Sequence, residues 1–256
     1  MRQIDNTVPN SARIWNYWMG GKDHYLVDQA AGDAYVDLAP QIKTMAWESR
    51  EFLIRAVKHF AECGIRQFLD IGAGLPTHYN THEVAQRIAP DCRIVYADND
   101  PVVLMHARTL LHSTKAGVTA YINADLREPE KILSAAADVL DFDQPIALML
   151  MGVLGHIEDY EETKAIVRHL QSSLPLGSYF AHYDGVDTSA DLQAAQRGYD
   201  ATGAFPYVLR SPEQIATFYD GLTLLDPGVV SCPQWRPDLG AADEPTDIHG
   251  GIARKD

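Results

Sequence analysis

The sequence predicts an α/β fold: a mostly parallel sheet with helices on both faces and a helical extension at the N-terminus. Three observations carry that expectation. Short apolar runs alternate with helix-like segments. Four of those runs end in an acid or a glycine, as strands do when their carboxyl ends line one crevice. The first of them passes straight into a Gly-x-Gly turn.

Residues 1–64 read as helical. From Gln41 to Cys63, Ile42, Met45, Ala46, Ser49, Phe52, Leu53, Ala56, Val57 and Phe60 recur with helical spacing, and Gly64 supplies a C-terminal stop. The first strand, Gln67-Phe68-Leu69-Asp70-Ile71, leads into Gly72-Ala73-Gly74. Asp70 offers a carboxylate at the strand end, while the glycines allow a tight turn and close approach to a ligand. Pro76 stands where a dinucleotide fingerprint would place its third glycine.

The second strand, Ile94–Ala97, ends at Asp98 and Asn99, where such folds place the carboxylate that binds ribose hydroxyls. Asp100-Pro101 is a helix start. The third strand, Val118–Ala124, ends at Asp125-Leu126, and the fourth is the most apolar stretch, Ile146–Leu154. Ser178–His182 reads as the fifth. Leu222–Leu225 and Val229–Cys232 read as a terminal strand pair broken by Pro227-Gly228. Ser211-Pro212-Glu213-Gln214 is a capping box, and residues 237–249 read as a surface loop.

The chain has 256 residues, 46% hydrophobic and 22% charged, the profile of one ordinary globular domain. A net charge of −14 without a Lys/Arg cluster argues against nucleic acid as a partner. Cys63, Cys92 and Cys232 lie far apart and define neither a zinc ribbon nor a disulfide framework. No apolar run is long enough to span a bilayer, and the N-terminus lacks a signal-peptide pattern. The expectation is a cytoplasmic protein with no membrane association.

Asp70-Ile71-Gly72-Ala73-Gly74, Asp98 and Ala124-Asp125-Leu126 resemble the first three motifs of class I S-adenosylmethionine methyltransferases. The resemblance narrows to the family called S-adenosyl methyltransferase, long listed as a domain of unknown function. It rests on Ser11-Ala12-Arg13-Ile14-Trp15-Asn16-Tyr17-Trp18-Met19-Gly20-Gly21-Lys22-Asp23-His24, Gly74-Leu75-Pro76-Thr77 and His82-Glu83-Val84-Ala85. Tyr96–Pro101, Pro227–Val230 and Gly250–Lys255 fit it as well. The chain departs from the family's usual residues at His24 and Gly155. The resemblance implies a Rossmann-like sheet of seven strands, one of them antiparallel. It also implies S-adenosyl-L-methionine as cofactor, and the family usually carries Pro76.

The expected organisation is a helical cap at residues 1–64, part of the same domain, and a cofactor-binding unit at 65–256. Candidate cofactor-binding residues are Asp70, Gly72, Ala73, Gly74, Asp98, Asn99, Asp125, Leu126 and Met151. Arg13 or Lys22 would pair with the methionine carboxylate. The Gly20-Gly21 pair inside Arg13–His24 suggests a lid, with Tyr17, Asp23 and His24 meeting the acceptor. Methyl transfer needs a base only when the acceptor loses a proton. His156, beyond the fourth strand, and His182, with Tyr183 at the end of the fifth, are the candidates. His78 and His82 share a helix face, but with no third ligand nearby no metal is expected.

The expected function is methyl transfer to an unidentified small-molecule acceptor, with oligomeric state open. A non-catalytic module that senses the cofactor or its demethylated product is an alternative. A dinucleotide-dependent oxidoreductase is a weaker one, given the missing third glycine.

Overall fold

The computed structural model describes residues 5–77, 79–110, 113–238, 240 and 244–256. Three helices come first: α1 (Ser11–Trp18), α2 (Leu26–Leu38) and α3 (Ile42–Glu62). Strands and helices then alternate: β1 (Gln67–Ile71), α4 (Thr81–Ile88), β2 (Arg93–Asp98), α5 (Pro101–Leu110), β3 (Val118–Asn123), α6 (Pro129–Ala136) and β4 (Ala147–Met151). After these come α7 (Tyr160–Ser172), β5 (Tyr179–Gly185), α8 (Ala190–Asp200), α9 (Pro212–Ala216), β6 (Thr223–Leu224), β7 (Val230–Ser231) and β8 (Ile248–Arg254).

The sheet runs β3-β2-β1-β4-β5-β8-β6, with β7 also on β8. The pairs among β1 to β5 are parallel, and β8 is antiparallel to β5. The order reverses between β1 and β4, which places a crevice beyond their carboxyl ends. Every residue of β1 and β4 is buried, as parallel strands covered on both faces must be.

The α/β expectation holds, with three corrections at the C-terminal end. The sheet has eight strands among the described residues where seven were expected. The two short segments around Pro227-Gly228 do not pair with each other; each pairs with β8. That strand begins at Ile248, inside the stretch read as loop, because its Gly250-Gly251 lacks the alternating apolar pattern of a strand. A Cβ on Gly250 would meet the His182 carbonyl oxygen at 2.5 Å, so close backbone approach explains the glycine.

One face of the sheet packs against α3, whose Phe52 and Phe60 meet Phe68 and Tyr183. The other packs Leu69, Leu148 and Phe180 with Ile132 of α6, Leu170 of α7 and Ile215 of α9. Asn80 caps α4 and Ser211 caps α9, each within a capping box, and Asp100 Oδ1 accepts from the Val102 amide where α5 starts. Among the described residues no helix is long and apolar enough to cross a membrane.

Candidate functional site

A cleft of about 890 Å³ opens beyond the carboxyl ends of β1, β2, β4 and β5. It lies at the upper end of the ~300–1,000 Å³ typical of ligand pockets, so it has room for two ligands. The sheet builds one half. Gly72 turns the chain at φ +76°, and its amide donates to the Ala97 carbonyl at 2.8 Å. A Cβ there would lie 2.4 Å from the Val153 side chain. Gly74, at φ +64°, donates its amide to Asp98 Oδ2 at 3.0 Å and has open space where a side chain would stand.

Asp98 also accepts the Asp100 amide on Oδ1 at 2.9 Å. Burial raises its pKa to about 6, against the pull of the Asp100, Gly74 and Asn99 amides. Asp70 is buried, accepts from Thr81 Oγ1 at 2.7 Å and is likewise raised to about 6 by burial. Asn99 Nδ2 donates to Asp125 Oδ2 at 2.8 Å and ties the ends of β2 and β3 together. Burial pushes Asp125 up, but the Arg127 amide, Asn99 and the Arg127 guanidinium outweigh it and hold the carboxyl below its ordinary value. Ala73, Leu126 and Met151 line the same half. Thr77 Oγ1, also on this wall, is buried with no hydrogen-bond partner among the described residues, and a polar ligand group would satisfy it.

Helices and one loop build the other half. The face of α8 carrying Leu192, Gln196 and Tyr199 looks into it. Alternate residues of the following segment, Phe205, Tyr207 and Leu209, line it as well. α1 and α2 add Trp15, Trp18, Met19 and Tyr35. Where the halves join stands Arg50 of α3, which pulls down the pKa values of both Asp70 and Tyr183.

Several expected residues sit elsewhere. Arg13 borders the cleft, but its guanidinium is committed: Nε to Asp28 Oδ2 at 2.7 Å, Nη1 to the Asp5 carbonyl and Nη2 to the Val8 carbonyl. Lys22 and Asp23 are exposed and do not line the cleft. Tyr17 donates to Asp33 Oδ1 and stacks near His24, and neither reaches the cleft. Gly20 adopts φ +77°, but Gly21 packs on the Asn16 amide, whose Oδ1 also accepts the Asp23 amide.

His182 is fully buried on the opposite face of the sheet, among Phe180, Phe218 and Tyr219. Burial lowers its pKa to about 3. Strand alternation sends its neighbour Tyr183 to the cleft instead. His156 does line the cleft, with Nδ1 at 2.9 Å from the Pro206 carbonyl. His82 bonds to the Tyr96 hydroxyl, and His78 lies outside the described residues.

Two features escaped sequence reasoning. Arg50 stands four residues after Ala46 and three before Leu53, a cation in register with an apolar helical stripe, and that was a legible signal. The alternation of Phe205, Tyr207 and Leu209 was legible only once the segment's course was known.

A sheet whose order reverses between β1 and β4, with a Gly-x-Gly turn after β1 bonded to the next strand's acid, defines a Rossmann-like cofactor-binding protein. The sequence profile described as S-adenosyl methyltransferase matches residues 1–256, and the chain belongs to that family, whose cofactor is S-adenosyl-L-methionine. It is similar to a DUF574 family protein from Streptomyces avermitilis, at 41% identity over 99% of this chain and 100% of that one, TM-score 0.94. A putative methyltransferase from Thermobifida fusca is 37% identical over 98% of this chain and 96% of that one, TM-score 0.91. Human N-acetylserotonin methyltransferase, solved with S-adenosylmethionine, shares the fold at 11% identity over 94% of this chain and 62% of that one, TM-score 0.52. No curated protein matches.

Proposed function

We propose that the chain transfers a methyl group in line from S-adenosylmethionine to a small-molecule acceptor. The observation that carries this reading is Asp98, at the end of β2 beside the reversal strand β1, held by the Gly74 amide with oxygen lone pairs left for ribose hydroxyls. Asp125 and Leu126 would flank the adenine. Arg50 takes the role expected of Arg13 or Lys22 and meets the methionine carboxylate, since Arg13 is committed to Asp28 and Lys22 faces outward.

The bound cofactor supplies a sulfonium-activated methyl group. The chain orients donor and acceptor and excludes water. Residues 1–64 act as the cap that closes the crevice over the 65–256 unit, with α1 against the carboxyl edge. His156 remains a candidate base.

Calorimetry tests the reading. We expect S-adenosylmethionine or S-adenosylhomocysteine to bind with no heat from NAD(H). Binding of NAD(H) alone would point to an oxidoreductase. Cofactor binding without methyl transfer to any compound in a broad acceptor panel would favour a sensing module.

A further inference from the structure

The cleft half beyond β4 has a distinct chemistry. Trp15, Trp18, Tyr35, Tyr183, Phe205 and Tyr207 give it aromatic walls. Its cationic side chains are spoken for: Arg13 by Asp28, Arg127, whose guanidinium lies over the Phe205 ring, by Asp125 and Glu162, and Arg50 by the proposed cofactor carboxylate. An uncharged flat ligand matches such a lining better than an amine or an acid, either of which would lose hydration there without a counter-charge.

One group on this wall has a proton acceptor behind it. Tyr207 packs its ring directly on Gly155, where a Cβ would come within 2.4 Å of the ring. Its hydroxyl accepts the Gly185 amide at 3.3 Å and donates to Asp184 Oδ1 at 2.5 Å. Asp184 is fully buried, and its other oxygen, 3.5 Å from His182 Nε2, makes no hydrogen bond among the described residues. Arg210, close enough to act on its charge, is buried and among the described residues donates to neutral oxygens: the Leu154 and Ile157 carbonyls and Thr163 Oγ1. Asp184 is the carboxylate whose ionised form Arg210 favours.

We propose that this half binds a neutral aromatic molecule bearing a hydroxyl, and that Tyr207, backed by Asp184, takes that hydroxyl's proton as its oxygen is methylated. The inference rests on the methyltransferase reading above.

The acceptor O–H passes its proton to Tyr207 Oη while the Tyr207 proton moves to Asp184 Oδ1. An acceptor oxygen lone pair forms the O–CH3 bond as the S–CH3 bond breaks, and that bond's electron pair stays on sulfur. The sulfonium and carboxylate charges cancel, leaving a thioether, a methyl ether and a neutral Asp184. Asp184 returns its proton through Tyr207 after product release.

Burial raises Asp184 to about 7, against the pull of Tyr207, Arg210 and the Gly155 amide, close to what a base working near neutrality needs. His182 Nε2 lies 3.5 Å from Asp184 Oδ2, and Tyr183, Tyr219 and Cys232 also feel its charge. The other candidates fit less well. His156 packs its ring on Phe205 and Tyr207 of the same wall, but its Nδ1 is engaged by the Pro206 carbonyl at 2.9 Å and burial lowers its pKa, which weakens it as a base. His182 is sealed from the cleft.

The test uses the full chain saturated with S-adenosylhomocysteine. Failure of that compound to bind defeats the methyltransferase reading itself. With it bound, mono- to tricyclic phenols should raise the melting temperature, and aliphatic amines and carboxylates of equal size should not. Stabilisation by the amines or acids, or by no phenol, overturns the substrate class.

Nitrophenols then report the proton by absorbance. Bound to wild type, they should ionise at least about one pH unit lower than in solution, a tenfold gain in phenolate. Tyr207→Phe and Asp184→Asn should each still bind them, with the shift gone and turnover of phenols down at least ~100-fold. Absence of the shift in wild type, its persistence in both variants, or its loss in His156→Gln alone overturns the role of Tyr207 and Asp184.

Discussion

The backbone shapes the half of the cleft proposed for the cofactor, whereas side chains shape the half proposed for the acceptor. In the first, turn glycines at φ +76° and +64° and amides bonded to Asp98 set the shape. In the second, a helix face and the alternate residues of one loop supply walls of aromatic rings. The difference teaches where each half tolerates change. A backbone cradle fails when a Cβ is added, while a side-chain wall can be re-cut residue by residue to suit another acceptor.

The largest expected effect breaks the cradle. Gly72→Ala puts a Cβ within 2.4 Å of Val153 at a positive φ. Strain and overpacking together should cost roughly 2–4 kcal/mol of stability and abolish cofactor binding. Chemical denaturation and calorimetry read the two losses, and a variant with normal stability and affinity would show that the turn is not tight.

Asp98→Asn comes next. Cofactor affinity should fall by about 1–3 kcal/mol, the scale of a charge-assisted hydrogen-bonding group. The ligand-free variant should keep its melting temperature or gain, because the buried carboxylate is costly when ionised. A large loss of ligand-free stability would mean that Asp98 serves the fold more than the ligand.

Arg50→Met should weaken S-adenosylhomocysteine by about 1–2 kcal/mol, with Arg50→Lys recovering part of the loss. An unchanged dissociation constant for Arg50→Met would free that cation for the acceptor side.

The pH dependence sharpens the comparison. Asp70 and Asp98 both sit at about 6 in the fold, above the ordinary 3.8. Between those values the folded chain binds more protons than the unfolded chain, so their contribution to stability shrinks as pH rises from about 4 to 6. Affinity for S-adenosylhomocysteine should move the opposite way. Ribose hydroxyls favour the ionised Asp98, so binding should weaken as pH falls below about 6. A flat binding profile from pH 7.5 to 5 would argue against a carboxylate at the ribose.

The smallest effect is expected for Lys22→Ala, within about 0.5 kcal/mol in affinity and stability, as for an exposed residue outside the cleft. A marked loss of affinity would revive Lys22 as a lid residue that closes on the cofactor.

The same contrast explains what the sequence revealed. The half proposed for the cofactor is built at the ends of successive strands, so Gly72, Gly74, Asp98 and Asp125 stood out as punctuation there. The acceptor half gathers side chains from α1, α2, α3, α8 and the 205–209 segment, and no local pattern announces that meeting. The sequence could not show that Arg13 already has a partner. A sequence shows a charge but not its partner, and Asp28, fifteen residues on, takes it into a buried ion pair. The two-residue period of β5 turned His182 to the sheet face away from the cleft, while its neighbour Tyr183 lines the cleft.

One measurement tests the central claim most directly: calorimetric titration of the purified chain with S-adenosylhomocysteine and, separately, with NADH, in wild type and Asp98→Asn. The account predicts one S-adenosylhomocysteine per chain, weakened about 5- to 150-fold by the substitution, and no NADH binding. Binding of NADH without S-adenosylhomocysteine, or equal affinity in wild type and variant, would contradict it.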